Sequence, residues 1–363
     1  CEGNGARIDA SNAEVHEFRG ATLAPAFFDV HIHGSAGHDV MEATPEALCA
    51  IGRFLASRGT GSYLATTVTA PLDMTLRALD GLGKLIEHPN RIDAEGLATL
   101  PIGIHLEGPF LSHEKCGVQP KEYLLEPDIA TFDRLFEAAA GHVRLMTLAP
   151  ELPGAAELAA HATAKGVRVS VGHSNATAAD TRAAIAAGAV SATHTFNAMR
   201  ALDHREPGIL GTVLATESLY AELVCDGIHS APEMSKIWWK AKGSRRGILI
   251  TDAMSAAGMP DGEYHLGDFA VQVANGRAMA RGVLAGSVLT LDRALENFVE
   301  FTGATIDEAL RLLTVNPAAM TGFQDDAGTI AVGRKANLVA VDEKGKLVAA
   351  IHNGDLVGAV AAR

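Results

Sequence analysis

Histidines and acids recur in this sequence where runs of apolar residues end. His31 and His33 close the run at 27–33, Glu107 the run at 102–107 and His173 the run at 167–173. His194 lies in the run at 191–196, His229 just past the run at 221–225, and Asp252 follows the run at 247–251. Imidazole and carboxylate together suit zinc, iron, manganese or cobalt. Three protein ligands with one open position is the arrangement a hydrolytic metal needs. Asp252 would then be left over as a base that takes a proton from water.

Singly, each of these residues has an ordinary explanation. His31 and His33 face one way simply because a strand has a period of two. His173, in Gly172-His173-Ser174, reads equally as a loop histidine bonded to backbone, and His194, in Thr193-His194-Thr195, as a satisfied core imidazole. Asp252 reads equally as a helix cap. Glu107 resists such an account. A strand end before Gly108-Pro109 gains nothing structural from a bare carboxylate, and burying one unpaired is costly. The joint placement at strand ends is what points to a metal. His16, His88, His142, His161 and His352 are expected on the surface.

The elements that must bring these residues together alternate in type. Strand runs at 27–33, 62–68, 102–107, 143–148, 167–173, 191–196, 221–225 and 247–251 alternate with helical runs such as 45–58, 72–87, 129–140, 155–165, 178–187 and 232–242. Gly59, Gly141, Gly166 and Gly188 stand where C-terminal caps belong. Eight such units predict a (β/α)₈ barrel, with a doubly wound open sheet as the competing architecture. In a barrel the C-terminal strand ends share one mouth, which gathers the residues above.

Beyond the eighth strand, residues 264–280 alternate around Asn275-Gly276, a hairpin signal. Helices are expected at 288–302 and 306–315, the second stopped by Asn316-Pro317. The tail is strand-rich again at 337–341, 347–352 and 356–360, and the start carries strand fragments at 6–9 and 14–18. We therefore expect a catalytic barrel at 25–325 and a small β domain built from both ends, 1–24 and 326–363. The sequence opens without Met inside a polar segment, as expected of a chain whose native start lies upstream.

Composition narrows the function. The chain has 363 residues, 48% hydrophobic and 20% charged, which suits a well-cored protein. A net charge of −13 with no basic stripe argues against nucleic acid as a partner. It also means that an anionic ligand needs a local positive site, for which Arg205 in Arg205-Glu206-Pro207-Gly208 is a candidate. The alternative for Arg205 is a solvated loop charge. No apolar run is long enough to span a membrane, and no signal peptide is read. Cys1, Cys49, Cys116 and Cys225 form no CxxC pair, so reduced thiols and a cytoplasmic location are expected.

These motifs carry a resemblance. The series 28–34, His105-Leu106-Glu107-Gly108-Pro109-Phe110, Gly172-His173-Ser174, Thr193 to Met199, Arg205 to Gly208, Asp226-Gly227-Ile228-His229 and Thr251-Asp252-Ala253-Met254 resembles the N-acetylglucosamine-6-phosphate deacetylase family of the amidohydrolase superfamily. The resemblance runs in order from Pro25 to the tail. It implies a divalent metal on Glu107, His173 and His194, zinc first, with Asp252 as catalytic acid/base. It implies a sugar phosphate held by Val118, Gln119, Asn197, Ala198, Arg205, His229 and the segment Leu284-Ala285-Gly286. It implies a homodimer in which Arg205 serves the neighbouring site. Members with the HxH pair hold two metals, so His31 and His33 add a second position. The fourth strand ends Thr147-Leu148-Ala149, without the lysine that many amidohydrolases carbamylate, so Glu107 would bridge. Gln119 stands where some members carry histidine. The family's first small-domain strand is expected to be absent or truncated. Two rivals remain: an amidohydrolase for a cyclic amide or another N-acyl sugar, and a metal-free barrel used for binding.

Overall fold

The computed structural model describes residues 15–359. Eight parallel strands form the expected barrel: Phe27–Ile32, Thr60–Thr67, Pro101–Glu107, Val143–Leu148, Arg168–Val171, Ala189–Ala192, Ala221–Val224 and Gly247–Ile250. The first six share one ladder in chain order, and the last two pair with each other. Most of their residues are buried on both faces, which is why the runs read as nearly unbroken apolar stretches rather than alternating ones. The sixth and seventh strands are joined by the Thr195 N–H, which donates to Glu222 O at 2.8 Å.

The seam between the eighth and first strands is closed by side chains within the barrel and by backbone hydrogen bonds at its mouth. Asp29, wholly buried, accepts from Thr251 Oγ1 at 2.6 Å and from the His31 N–H at 3.2 Å. Burial pushes the Asp29 carboxyl up to about 7, even though these donors favour its ionised form. At the mouth end the Asp252 N–H donates to His31 O at 2.9 Å. At the opposite end the Leu312–Leu313 backbone plugs the gap, accepting from Leu249 N and Phe28 N.

A helix follows each strand: Pro45–Ser57, Leu72–Glu87, Ile129–Ala138, Ala155–Ala164, Ala178–Ala186, Gly208–Ala215, Pro232–Arg246 and Leu291–Thr302. Thr44, Asp128 and Thr177 cap three of them by accepting from N–H groups of the first turn. Gly59, Gly141, Gly166 and Gly188 have positive φ at the expected helix ends. The sixth helix, Gly208–Ala215, is one the pattern does not announce. Its two glycines and its nearly all-apolar remainder hide the helical period.

Several boundaries differ from expectation. The fifth and sixth strands stop at Val171 and Ala192, short of the expected 173 and 196, because His173, His194 and Phe196 take positive φ. The expected helix at 306–315 is two, Ile306–Arg311 and Val315–Thr321. Pro317 does not stop a helix. It sits in the first turn of the second one, where a missing N–H costs nothing. His352 is buried, not exposed, and pairs with Ala98 O at 3.1 Å.

Among the described residues, two four-stranded antiparallel sheets and a two-stranded one, Gly34–Ser35 with His38–Asp39, complete the fold. Gly262–Leu266, Phe269–Ala274, Arg277–Ala280 and Val283–Leu284 form an antiparallel sheet around the expected Asn275-Gly276 turn. Its buried face packs on Val68, Val118 and Met254 beside the barrel mouth. The chain ends form the small domain: Thr22–Pro25 pairs with Leu338–Val341, followed by Leu347–His352 and Asp355–Ala359. Residues 15–18 are not strand, and the fragment at 6–9 lies outside the described residues. Cys49, Cys116 and Cys225 are free thiols. No helix among the described residues is long and apolar enough to cross a membrane.

Candidate active site

Glu107 ends the third strand at the centre of the barrel mouth. Its Oε1 lies 3.2 Å from both His173 Nε2 and His194 Nε2 and 3.3 Å from His31 Nε2. Its Oε2 lies 3.4 Å from His33 Nε2. Asp252 Oδ1 faces the same two first-strand histidines, 3.2 Å from His33 Nε2 and 3.5 Å from His31 Nε2. Side chains spread over most of the chain therefore converge on two overlapping triads, His31/His33/Glu107 and Glu107/His173/His194, within each of which the ligand atoms lie within 4.8 Å of one another.

The other ring nitrogens decide what these triads can hold. His173 Nδ1 faces Lys115 O at 3.1 Å, His33 Nδ1 faces Thr66 O at 3.1 Å, and His31 Nδ1 faces Glu222 Oε2 at 3.3 Å. Each partner is an acceptor, so each Nδ1 carries a proton and each ring turns its Nε2 towards Glu107. His173 Nε2 and His194 Nε2 stand only 3.0 Å apart. His31 Nε2 is fully buried without a hydrogen-bond partner. Lone pairs and carboxylate oxygens facing one another repel unless positive charge lies among them. This donor set fits divalent metal ions.

The electrostatics agree. Burial opposes ionisation of Glu107, yet the His31 and His173 rings hold its carboxyl well below the usual carboxylate range. Burial likewise opposes ionisation of Asp252, and His31 and His33 overcome it. Reciprocally, the acids outweigh burial to raise His31 well above an ordinary histidine, and Asp252 and Glu107 push His33 up to about 9. The field favours positive charge, whether proton or metal. His105, just below, is different. Burial drives it well down, and its nitrogens are taken by Val30 O and Thr147 Oγ1.

Gly108 makes the turn after Glu107 possible. It has φ +87°, and a Cβ there would sit 2.2 Å from Thr69 Oγ1.

A pocket of about 260 Å³ opens above the cluster. Val118, Gln119, Asn197, Ala198, His229, Leu284 and Gly286 line it, together with His33, Glu107, His173, His194 and Asp252. His31 lies behind the pocket wall, fully buried. Ala285 turns into the core of the antiparallel sheet instead. Arg205 is exposed on its loop and does not line the pocket. Gln119 touches the cluster itself: the Thr69 N–H donates to its Oε1, so its Nε2 donates to Glu107 Oε2 at 2.8 Å.

Sequence reasoning passed over Leu266 and Val283, which reach the pocket from the antiparallel sheet, and Asp226, which holds His229 Nδ1 at 2.7 Å. It also passed over Glu222, whose signal was plain: one charge inside an apolar strand.

The amidohydrolase family profile matches residues 22–360. The chain belongs to the amidohydrolase family. Within the family it is 40% identical to the N-acetylgalactosamine-6-phosphate deacetylase of Escherichia coli O157:H7, over 92% of this chain and 87% of that one. It is 38% identical to the N-acetylglucosamine-6-phosphate deacetylase of Bacillus subtilis (strain 168), over 90% and 82%. A mutant of the Mycobacterium smegmatis N-acetyl-D-glucosamine-6-phosphate deacetylase, solved with N-acetyl-D-glucosamine-6-phosphate, superposes with a TM-score of 0.86 at 36% identity, covering 93% of this chain and 87% of that one. Metal dependence is a property of the amidohydrolase family, and the His/Glu triads accord with it.

Proposed function

We propose that this amidohydrolase removes the acetyl group from N-acetylglucosamine 6-phosphate, releasing glucosamine 6-phosphate and acetate. The observation that carries the reading is the Glu107 carboxylate held 3.2 Å from both His173 and His194 in the mouth that Asp252 shares. Glu107, His173 and His194 would hold one divalent ion, zinc first, with iron, manganese or cobalt as alternatives; His31 and His33 with Glu107 would hold a second. Such an ion polarises the amide carbonyl and acidifies water when bound.

The chain's own residues do the rest. Asp252, kept ionised by its imidazole neighbours, takes the proton of the attacking water on its carboxylate. It then returns that proton to the departing nitrogen, because an amine anion is too poor a leaving group. His229 donates Nδ1–H to Asp226, which leaves Nε2 for the substrate. Burial pushes this imidazole down, but the Asp226 carboxylate outweighs it and raises it, and Nε2 is placed to meet the acetamide oxygen as charge builds there. Gln119 orients Glu107. Val118 forms an apolar wall, and Asn197, Ala198 and the Leu284-Ala285-Gly286 segment receive the sugar phosphate. Arg205 completes a phosphate clamp from a second copy, so the working form is a homodimer, in the cytoplasm. Residues 25–325 carry the catalytic barrel, and 1–24 with 326–363 the small domain.

The test is Asp252→Asn. Metal content should stay intact while kcat falls by about 10²-fold or more; near-normal turnover would remove the role given to Asp252. A second reading is favoured by the 40% identity to a protein named for the galactosamine epimer. Acetate release from the two epimeric 6-phosphates, measured side by side, decides between them.

A further inference from the structure

The seventh barrel strand, Ala221–Val224, carries one charged residue, Glu222. It is wholly buried. Its Oε2 faces His31 Nδ1 at 3.3 Å and accepts from the His194 N–H at 3.3 Å, while Oε1 has no hydrogen-bond partner among the described residues. Among the described residues, His31 is the one imidazole or cationic side chain within ion-pair distance of it. Two long hydrogen bonds are poor compensation for taking a carboxylate out of water. A glutamine would fill the same volume without that cost, so the charge itself needs a reason.

The other histidines of the cluster supply the contrast. His33 and His173 rest Nδ1 on neutral carbonyl oxygens, of Thr66 and Lys115. His31 alone rests on a carboxylate. A carboxylate behind a ligating imidazole fixes its tautomer and makes the opposite nitrogen a better donor to metal. It also adds negative charge where a second ion would bring two more positive charges into a buried site.

We propose that Glu222 is a positioning residue for the second divalent-metal position, the one formed by His31, His33 and Glu107. It accepts the His31 Nδ1 proton, turns the Nε2 lone pair towards Glu107 and offsets the second charge. Through the His194 N–H it also ties this position to the neighbouring one. The proposal rests on the metal reading of the site and goes beyond it, since Glu222 touches neither the pocket nor any Nε2.

The experiment loads metal-stripped protein with zinc. It reads bound equivalents by elemental analysis and stepwise affinity by competition with a chromophoric chelator. Wild type should take two equivalents. Glu222→Gln should retain the first and bind the second about 10- to 100-fold more weakly. In a His31→Ala background, where the second equivalent is already lost, adding Glu222→Gln should change nothing further. If Glu222→Gln does not fold, Glu222→Asp, which withdraws the charge by one methylene, is read the same way. Unaltered second-site affinity overturns the proposal, as does equal weakening of both equivalents, which is what a general packing role produces. A single equivalent in wild type overturns it too. Acetate release is measured separately. A protein that loads two ions in a Glu222-dependent way yet releases no acetate sustains this inference and sinks the deacetylase reading.

Discussion

His31 stands on the first strand and His33 just past its end, whereas His173 and His194 stand on turns beyond strand ends, with φ of 46° and 26°. The first-strand pair lies two residues apart at the strand end and its Nδ1 atoms are both anchored. The turn pair is placed by strained backbone, and His194 Nδ1 has no partner among the described residues. Left-handed backbone in non-glycine residues persists only where the surroundings impose it, and it clusters at functional sites. The turn pair reaches up into the pocket. Of the strand pair, His31 is shut behind it. His33 lines the pocket with the turn pair, and of the four imidazoles His31 alone is closed off from it.

The largest effect should come from Glu107, which serves both halves. Glu107→Gln should lose both metal equivalents and bring acetate release down to the background of chelator-treated wild type. Retention of one equivalent by elemental analysis would show that the halves are independent. Next comes the split between the pairs. His194→Ala should abolish turnover, whereas His33→Ala should keep the first equivalent and lose about 10- to 100-fold in rate, the scale of a supporting ligand. Equal losses would erase the distinction drawn above. Gly108→Ala should destabilise the fold by about 1–3 kcal/mol in urea unfolding, because the new Cβ meets Thr69 at a positive φ.

The smallest effect is on pH dependence. In the metal-free protein His33 stands at about 9 against 6.5 for an ordinary histidine, so the folded state holds this proton more tightly. That stabilisation is complete below about pH 6.5 and is lost as pH rises through about 9. The melting temperature of the stripped protein should therefore fall across this window, and that of the metal-loaded protein should not. Second-site zinc affinity should rise over the same window, about tenfold per pH unit for each proton displaced. A flat melting curve for the stripped protein would remove His33 as the group responsible.

Much of this was legible beforehand because strand ends are easy to find and the mouth of a barrel gathers them. Glu107, His173, His194, His31, His33 and Asp252 converge as their positions after apolar runs suggested. The turns at His173 and His194 were not legible, since nothing in a histidine announces positive φ. The Gly208–Ala215 helix was hidden by its glycines. Leu266 and Val283 reach the pocket only through the packing of the antiparallel sheet, which is a tertiary fact. Arg205 was a fair candidate by charge, yet its loop holds it at the surface of this chain.

The Asp29–Thr251 clasp joins residues 222 positions apart. A growing polypeptide therefore has Glu107, His173 and His194 long before it has Asp252. Until the last strand arrives and the clasp shuts, the chain lacks the group that would shuttle protons. Chemical competence is reserved for the finished molecule.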